Sequence, residues 1–265
     1  TPAVTIKERF VYNQFNNALE KHYHEVVGKS PEILLTDNHY NEIGQLQSKK
    51  VGNNIQELKY DYNIRGWMTG INLDAAGNFQ AGKLFNYKIG YNESLGTLST
   101  KPFASDQSLE IKEKYNGNIA TVTWRYNDVP NVPTKKYGYV YDGINRLRAG
   151  FYYQNTGNGY VFTEEHNELL KYDLNGNIDE LKRFSYLNVT APHKIDDLTY
   201  SYTGNQLINI IDSGDSNGYE GGGNLISYDL NGNMTNMLDK GISSIDYNFL
   251  NLPNQMNIQE GGITD

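Results

Sequence analysis

His22-Tyr23-His24, with Glu20 and Glu25 on either side, is the nearest approach in this sequence to a metal site. On a strand the two imidazoles fall on one face, and two His with a carboxylate are donors that zinc accepts. The spacing supplies no third ligand and His39 is remote, so the competing reading is a solvated strand face. The segment Asp212-Ser213-Gly214-Asp215-Ser216-Asn217-Gly218-Tyr219-Glu220 alternates oxygen donors in a Gly-rich stretch, as calcium loops do. It misses the helix-loop-helix spacing, because the twelfth position from Ser213 is Asn224 where Glu belongs. A long polar hairpin loop is the plainer account. Asp173, Asn175, Asn177 and Asp179 alternate similarly, but their Gly falls fourth rather than sixth, and the same run returns at Asp229. That recurrence marks a turn.

Hydrolytic chemistry finds little footing. The 31 acidic residues make carboxylate pairs inevitable, and none is set apart as a glycosidase pair would be. There is no Gly-x-Ser-x-Gly nucleophile elbow and no phosphate loop with Lys. Trp67 and Trp124 offer either a sugar-stacking platform or buried strand aromatics. His166 and His193 sit in polar, loop-like surroundings. Asn92-Glu93-Ser94 and Asn188-Val189-Thr190 match the glycosylation pattern, a short motif that arises often by chance. No catalytic, cofactor-binding or metal-binding residue is assigned, no cofactor is implied, and no enzyme is expected.

The elements that would carry these residues are written in the composition. Tyr occurs 22 times against 9 Phe and 2 Trp, and 34 Asn with 26 Gly fill much of the chain. Asn and Gly accept the positive φ of tight hairpin turns, while Tyr favours strands and can bury its ring with its hydroxyl on a partner. The net charge of −8 argues against nucleic acid, which needs a clustered basic face. No stretch approaches the roughly 18–20 apolar residues of a membrane span. With no cysteine, neither disulfides nor thiolate metal sites are available, and stacked repeats are the remaining source of stability.

The repeats are visible. Tyr172-Asp173-Leu174-Asn175-Gly176-Asn177-Ile178 and Tyr228-Asp229-Leu230-Asn231-Gly232-Asn233-Met234 are nearly identical. Looser copies run from Tyr12 to Leu19, Tyr40 to Leu46, Tyr62-Asn63 through Gly66 to Met68, and Tyr141-Asp142 to Leu147. Shortened ones lie at Tyr115–Ile119, Tyr202-Thr203-Gly204 to Leu207, and Tyr247 to Leu252. Before the motif, residues alternate, as in Leu198, Tyr200 and Tyr202 or Ile245, Tyr247 and Phe249, which marks a strand with one buried side. Asx and Gly close the turn, and the aliphatic residue opens the return strand. Isolated hairpins are marginal in water, so the units are expected to pair edge to edge, with the tyrosines forming ladders.

This pattern resembles the RHS/YD-repeat family, most firmly at 137–151, 172–183, 198–211 and 226–258 and at Tyr60 to Asn72. The resemblance implies an all-β fold: an extended antiparallel sheet of hairpins that spirals into a shell-like strip. It implies a structural role in an exported bacterial protein, secreted or at the cell surface, enclosing or displaying a C-terminal toxin or effector module outside this chain. The implied partners are the remainder of the same polypeptide and a component of export machinery. The alternative is an adhesion module whose surface binds glycans or protein. The family's Asp-Pro and Gly-rich closing segment is absent. The chain opens on Thr-Pro-Ala-Val and ends where another Tyr-Asp strand is expected, so it reads as a window on a longer array, repeats filling 1–265. The rhythm loosens over 73–114, loops are expected at Asp128–Pro133 and Asp212–Gly223, and the one helix suggested is Thr163 to Leu170, with Glu164 and Glu165 near its start.

Overall fold

A computed structural model describes residues 3–97, 109–126, 132–186 and 193–259. They are nearly all β, as expected. The chain begins with β1 (Ile6–Tyr12), β2 (Leu19–Val26), β3 (Ile33–Tyr40), β4 (Leu46–Val51), β5 (Gln56–Tyr62), β6 (Met68–Ile71) and β7 (Phe85–Gly90). After the short β8 (Gly96–Thr97) and β9 (Glu110–Ile111) come β10 (Thr121–Tyr126), β11 (Lys135–Tyr141), β12 (Leu147–Asn155) and β13 (Tyr160–Phe162). The series closes with β14 (Glu168–Tyr172), β15 (Ile178–Ser185), β16 (His193–Thr203), β17 (Gln206–Asp212), β18 (Ile242–Tyr247) and β19 (Pro253–Ile258). Fifteen strands pair in one sheet, in the order β1-β2-β3-β4-β5-β6-β7-β10-β11-β12-β14-β15-β16-β17 with β13 on β12. The sheet is antiparallel and does not close into a barrel. β8–β9 and β18–β19 form separate pairs.

Several strand pairs that are neighbours in sequence, β3–β4, β5–β6, β11–β12, β14–β15 and β18–β19, are joined by a tight turn built on one Asx residue. Asp173 Oδ1 accepts the backbone N–H of Asn175 (2.8 Å) and Asn177 (2.9 Å), while Oδ2 accepts the Asn177 amide at 2.8 Å. Gly176 completes the turn at φ 94°, a conformation in which a side chain would be strained. Asn41, Asn63, Asp142, Asp229 and Asn248 each accept the same two backbone donors, two and four residues on. Asp74 does likewise, with Ala76 and Asn78. The loosened segment therefore holds another copy of the turn, preceded by Leu73 where the motif has Tyr.

Two compact units divide the chain. The first takes residues up to 95, 112–137 and 154–160; the second takes 96–111, 138–153 and 161 onward. The first buries few apolar side chains, chiefly Leu73, Ile89, Ala120 and Val122, beside the buried polar Asp37, Asn38, Asn72, Asn86, Thr121 and Thr123. Asn72 shows how such a core is satisfied: its side chain accepts from Lys59 N–H (2.9 Å) and donates to the Phe85 carbonyl (2.8 Å). The second unit has the larger apolar core. Ala149, Phe151, Tyr152 and Tyr153 are buried in a row on β12, and Phe162 packs on Phe151 with ring centroids 5.8 Å apart. Leu169, Leu198 and Ile210 of β14, β16 and β17 are buried as well, as are Ile226 and, on β18, Ile245.

The suggested helix at Thr163–Leu170 does not form. Glu164 takes φ 60°, Asn167 N–H bonds the Glu164 carbonyl at 3.2 Å, and residues from Glu168 belong to β14. The acidic pair satisfies a turn, and the buried Asn167 locks it by accepting Tyr152 N–H at 2.9 Å. Among the described residues the only helical piece is the 3-10 turn Leu238–Lys240. Most of the Asp128–Pro133 loop, the Asn188 glycosylation pattern and the final Gly261–Asp265 lie outside the described residues.

Candidate functional site

The recurrent feature of the molecule is a set of phenol-to-carbonyl links between successive hairpins. In four hairpins the motif tyrosine sits opposite the first or second residue of the return strand: Tyr40 opposite Leu46, Tyr62 opposite Met68, Tyr172 opposite Ile178 and Tyr202 opposite Leu207. A β-bulge falls immediately before the tyrosine in every one of these pairs. A bulge breaks the ladder locally, so a carbonyl there needs another donor.

The next hairpin's tyrosine provides it. Tyr40 Oη donates to the Leu19 carbonyl at 3.0 Å, Tyr62 to Leu46 at 3.0 Å and Tyr91 to Met68 at 3.0 Å in the first unit. In the second, Tyr172 donates to Leu147 (2.8 Å), Tyr202 to Ile178 (2.9 Å), Tyr228 to Leu207 (2.8 Å) and Tyr247 to Met234 (2.8 Å). The rings are half-buried, and burial raises the phenols of Tyr62, Tyr91, Tyr172, Tyr202 and Tyr228 above the usual value. The turn carboxylates shift the other way. The Asn177 and Asn233 amides, with the turn N–H groups, hold Asp173 and Asp229 below the usual range. For Asp142, burial works against the charged form, and the Arg146 hydrogen bond with the turn N–H groups outweighs it.

The sequence motif residues thus occupy two places. Tyr62, Tyr172, Tyr202, Tyr228 and Tyr247 are links; Asn63, Asp142, Asp173 and Asp229 with Gly66, Gly176 and Gly232 are turns; Gly204 tips the short β16–β17 turn. Tyr141 ends β11, half-buried. Tyr12 is 54% exposed. Sequence reading placed a repeat at Tyr115, but Tyr115 is 63% exposed and outside any strand, whereas Tyr91 forms the link. The signal was the alternation Phe85, Tyr87, Ile89, Tyr91 running into Tyr91-Asn92, hidden because the segment to Lys114 is spliced in after it. Ala120 N–H still bonds the Gly90 carbonyl (2.9 Å), so the hairpin closes behind the insertion.

The chemical candidates resolve differently. His22 and His24 do share a face, but their acid is Glu8 of β1, 3.5 Å from His22 Nε2 and 3.8 Å from His24 Nδ1, rather than Glu20 or Glu25. Phe10 stacks on His22 at 4.4 Å. Among the described residues no three His, Asp or Glu side chains are grouped to hold a metal. In the Asp212–Gly223 loop, Asp212 Oδ1 accepts Asp197 N–H (2.9 Å) and Gly214 N–H (2.7 Å), Asp215 lies 2.6 Å from His193, and Tyr219 N–H donates to Asp196 at 2.6 Å. Asp196 is fully buried and also takes Arg183 at 2.5 Å, so the loop is clamped to β16 through protein donors. Trp67, half-buried just ahead of β6 and outside any strand, packs on Tyr91 (5.0 Å), and Trp124, half-buried on β10, packs on Tyr137 (5.6 Å).

Several clefts lie in the first unit, and two of them gather charged side chains. One, of about 480 Å³, mixes Glu20, Asp37 and Glu42 with Lys21 and His39. The other, of about 420 Å³, gathers Lys88, Arg125 and Lys136 around Glu93, with Phe79 and Tyr160 among its walls. Lys88 and Lys136 each stand 3.6 Å from Glu93, which also accepts the Thr121 hydroxyl at 2.6 Å. Burial works against the charged form of Glu93, and Thr121 with Lys136 and Lys88 outweighs it, leaving the carboxyl below its usual range.

No family model matches the chain, and no curated protein matches it. Among solved structures it is similar to TcdB2-TccC3 without the hypervariable C-terminal region (13% identity, TM-score 0.30) and to TcdB2-TccC3 (12%, 0.31). A third is a Photorhabdus luminescens Tc holotoxin pore carrying a TccC3 mutation (12%, 0.30). Each alignment covers 96% of this chain but 17%, 18% and 17% of the longer one, respectively, so this chain spans less than a fifth of those chains.

Proposed function

We propose that this chain is a stretch of wall in an exported bacterial RHS/YD-repeat protein, and that it encloses or displays a toxin or effector module lying elsewhere on the same polypeptide. The observation that carries the reading is the set of phenol links, each joining one hairpin to its predecessor. The polar groups repeated along the chain are spent on holding the strip together: tyrosine hydroxyls cap strand carbonyls, and Asx side chains close turns. A strip so built lengthens by adding hairpins without redesign of those already present. Its mechanism is mechanical, and no catalytic step is assigned to it.

The test uses the native polypeptide. Its intact mass should exceed that of the 265-residue chain, and a compact module elsewhere on it should resist protease while the hairpin region remains folded. Tyr→Phe substitutions at several links should expose that module to cleavage. A native polypeptide no longer than this chain, or protection unaffected by loss of the links, overturns the proposal.

A further inference from the structure

The cationic cleft takes no part in the phenol links or the Asx turns, and it stands apart in a chain of net charge −8. Among the described residues Lys88, Arg125 and Lys136 line the cleft with one carboxylate, Glu93, which leaves a local excess of positive charge. Arg125 and Asn86 are opposite one another on β10 and β7. Among the described residues, Arg125 Nε is buried without a hydrogen-bond partner, and so are both amide atoms of the fully buried Asn86. Buried donors normally have acceptors, so the unmet Nε of Arg125, which lines the cleft, leaves capacity for an oxygen-rich guest, whereas Asn86 is outside the lining.

We infer that this cleft binds a sugar carrying one carboxylate, of the hexuronate class. Glu93 shows that a carboxylate fits between the two ammonium groups, each at 3.6 Å. Its own charge disfavours a dianion such as phosphate more than a monoanion beside it. Arg125 offers the planar fork that matches a carboxylate. The neutral lining suits a polyhydroxylated body: Asn78, Thr123, Thr134 and Asn155 supply amides and hydroxyls, while the Phe79 and Tyr160 rings lie under the Arg125 and Lys136 cations at 5.7 and 4.8 Å. Asn155 and Tyr160 already converge on the Thr134 hydroxyl, at 3.1 and 3.0 Å, which fixes that wall. The volume lies within the usual range for small-molecule sites. This inference is independent of the wall reading.

The experiment titrates the 265-residue chain with D-glucuronate, D-glucose and inorganic phosphate, followed by calorimetry and by amide NMR shifts. Glucuronate should bind saturably with a Kd between about 10 μM and 10 mM, and glucose and phosphate at least about tenfold more weakly. Arg125→Gln should weaken glucuronate by about tenfold or more, the usual effect of losing a charge-assisted hydrogen bond. Lys136→Gln provides a second variant should the first fail to fold, and its affinity should also fall. No saturable glucuronate response, equal binding of glucose, tighter binding of phosphate, or unchanged affinity in a folded variant each overturns the inference.

Discussion

Replacing Tyr202 by Phe removes one oxygen atom and one link, from Tyr202 Oη to the Ile178 carbonyl at 2.9 Å. The ring, its neighbours and the strand register stay as they are. A neutral hydrogen bond contributes a net ~0.5–1.5 kcal/mol, and the half-buried site lets water reach the abandoned carbonyl, so the expected loss is about 1 kcal/mol. In a melt this is a fall of about 2–4 °C. Tyr202→Ala also removes the ring and should cost about 2–4 kcal/mol. Tyr12→Phe, at a residue 54% exposed, is the control and should stay within about 0.5 kcal/mol of the parent. Urea denaturation at constant slope measures all three. If Tyr202→Phe matches the parent while Tyr202→Ala is strongly destabilised, ring packing alone joins the hairpins and the hydroxyl links are incidental.

Arg183→Met leaves the buried Asp196 carboxylate without its guanidinium and should destabilise the second unit by about 2–4 kcal/mol, read by urea denaturation. A Cβ at Gly218 would collide with the Ile195 carbonyl and the Asp196 carboxylate, so Gly218→Ala should release the Asp212–Gly223 loop, seen as faster amide exchange at Tyr219. Stability should fall on both sides of neutrality. Asp142, Asp173 and Asp229 have folded values below the unfolded one, so their contribution is present above about pH 4 and lost as pH drops through the folded values. The buried phenols are raised, so theirs is complete below about pH 10 and lost as pH rises through the folded values, the highest being about 12 for Tyr153 and Tyr219. Urea midpoints across the pH range check both limbs; a midpoint still rising above pH ~10 would contradict the second.

The strands and turns were legible because each rests on local chemistry. Alternation before Tyr202 and Tyr247 marks a strand face, and Asx-x-x-Gly demands one turn wherever it stands. The links were not legible, since a hydroxyl of one hairpin finds a carbonyl of the previous one across 13 to 25 residues. Ring stacking was the expected ladder, and the hydroxyls turned out to carry the connection. Tyr91 was missed because an insertion separates it from the Gly-Asn half of its motif, and the Asp74 turn because Leu73 stands where Tyr was sought. Glu164 and Glu165 suggested a helix start, but no local signal announced the φ of 60° at Glu164, which the buried Asn167 imposes from the tertiary side. Glu8 joins the two histidines by cross-strand register, which no spacing along the chain encodes.

The insertion after Tyr91 has a practical meaning. Its hydroxyl still reaches Met68 and the strands still close at Gly90, although a long excursion departs from the tip between them. The bond that ties this hairpin to its predecessor sits beside the turn, and it persists with the added residues beyond it. The tip of the Tyr91 hairpin is thereby a port: a place where additional residues are accommodated while the link and the strand pairing persist. A peptide grafted at Gly204 should therefore leave the Tyr202–Ile178 link and the strand pairing in place, with loss of the Asn205 contact to Asn177.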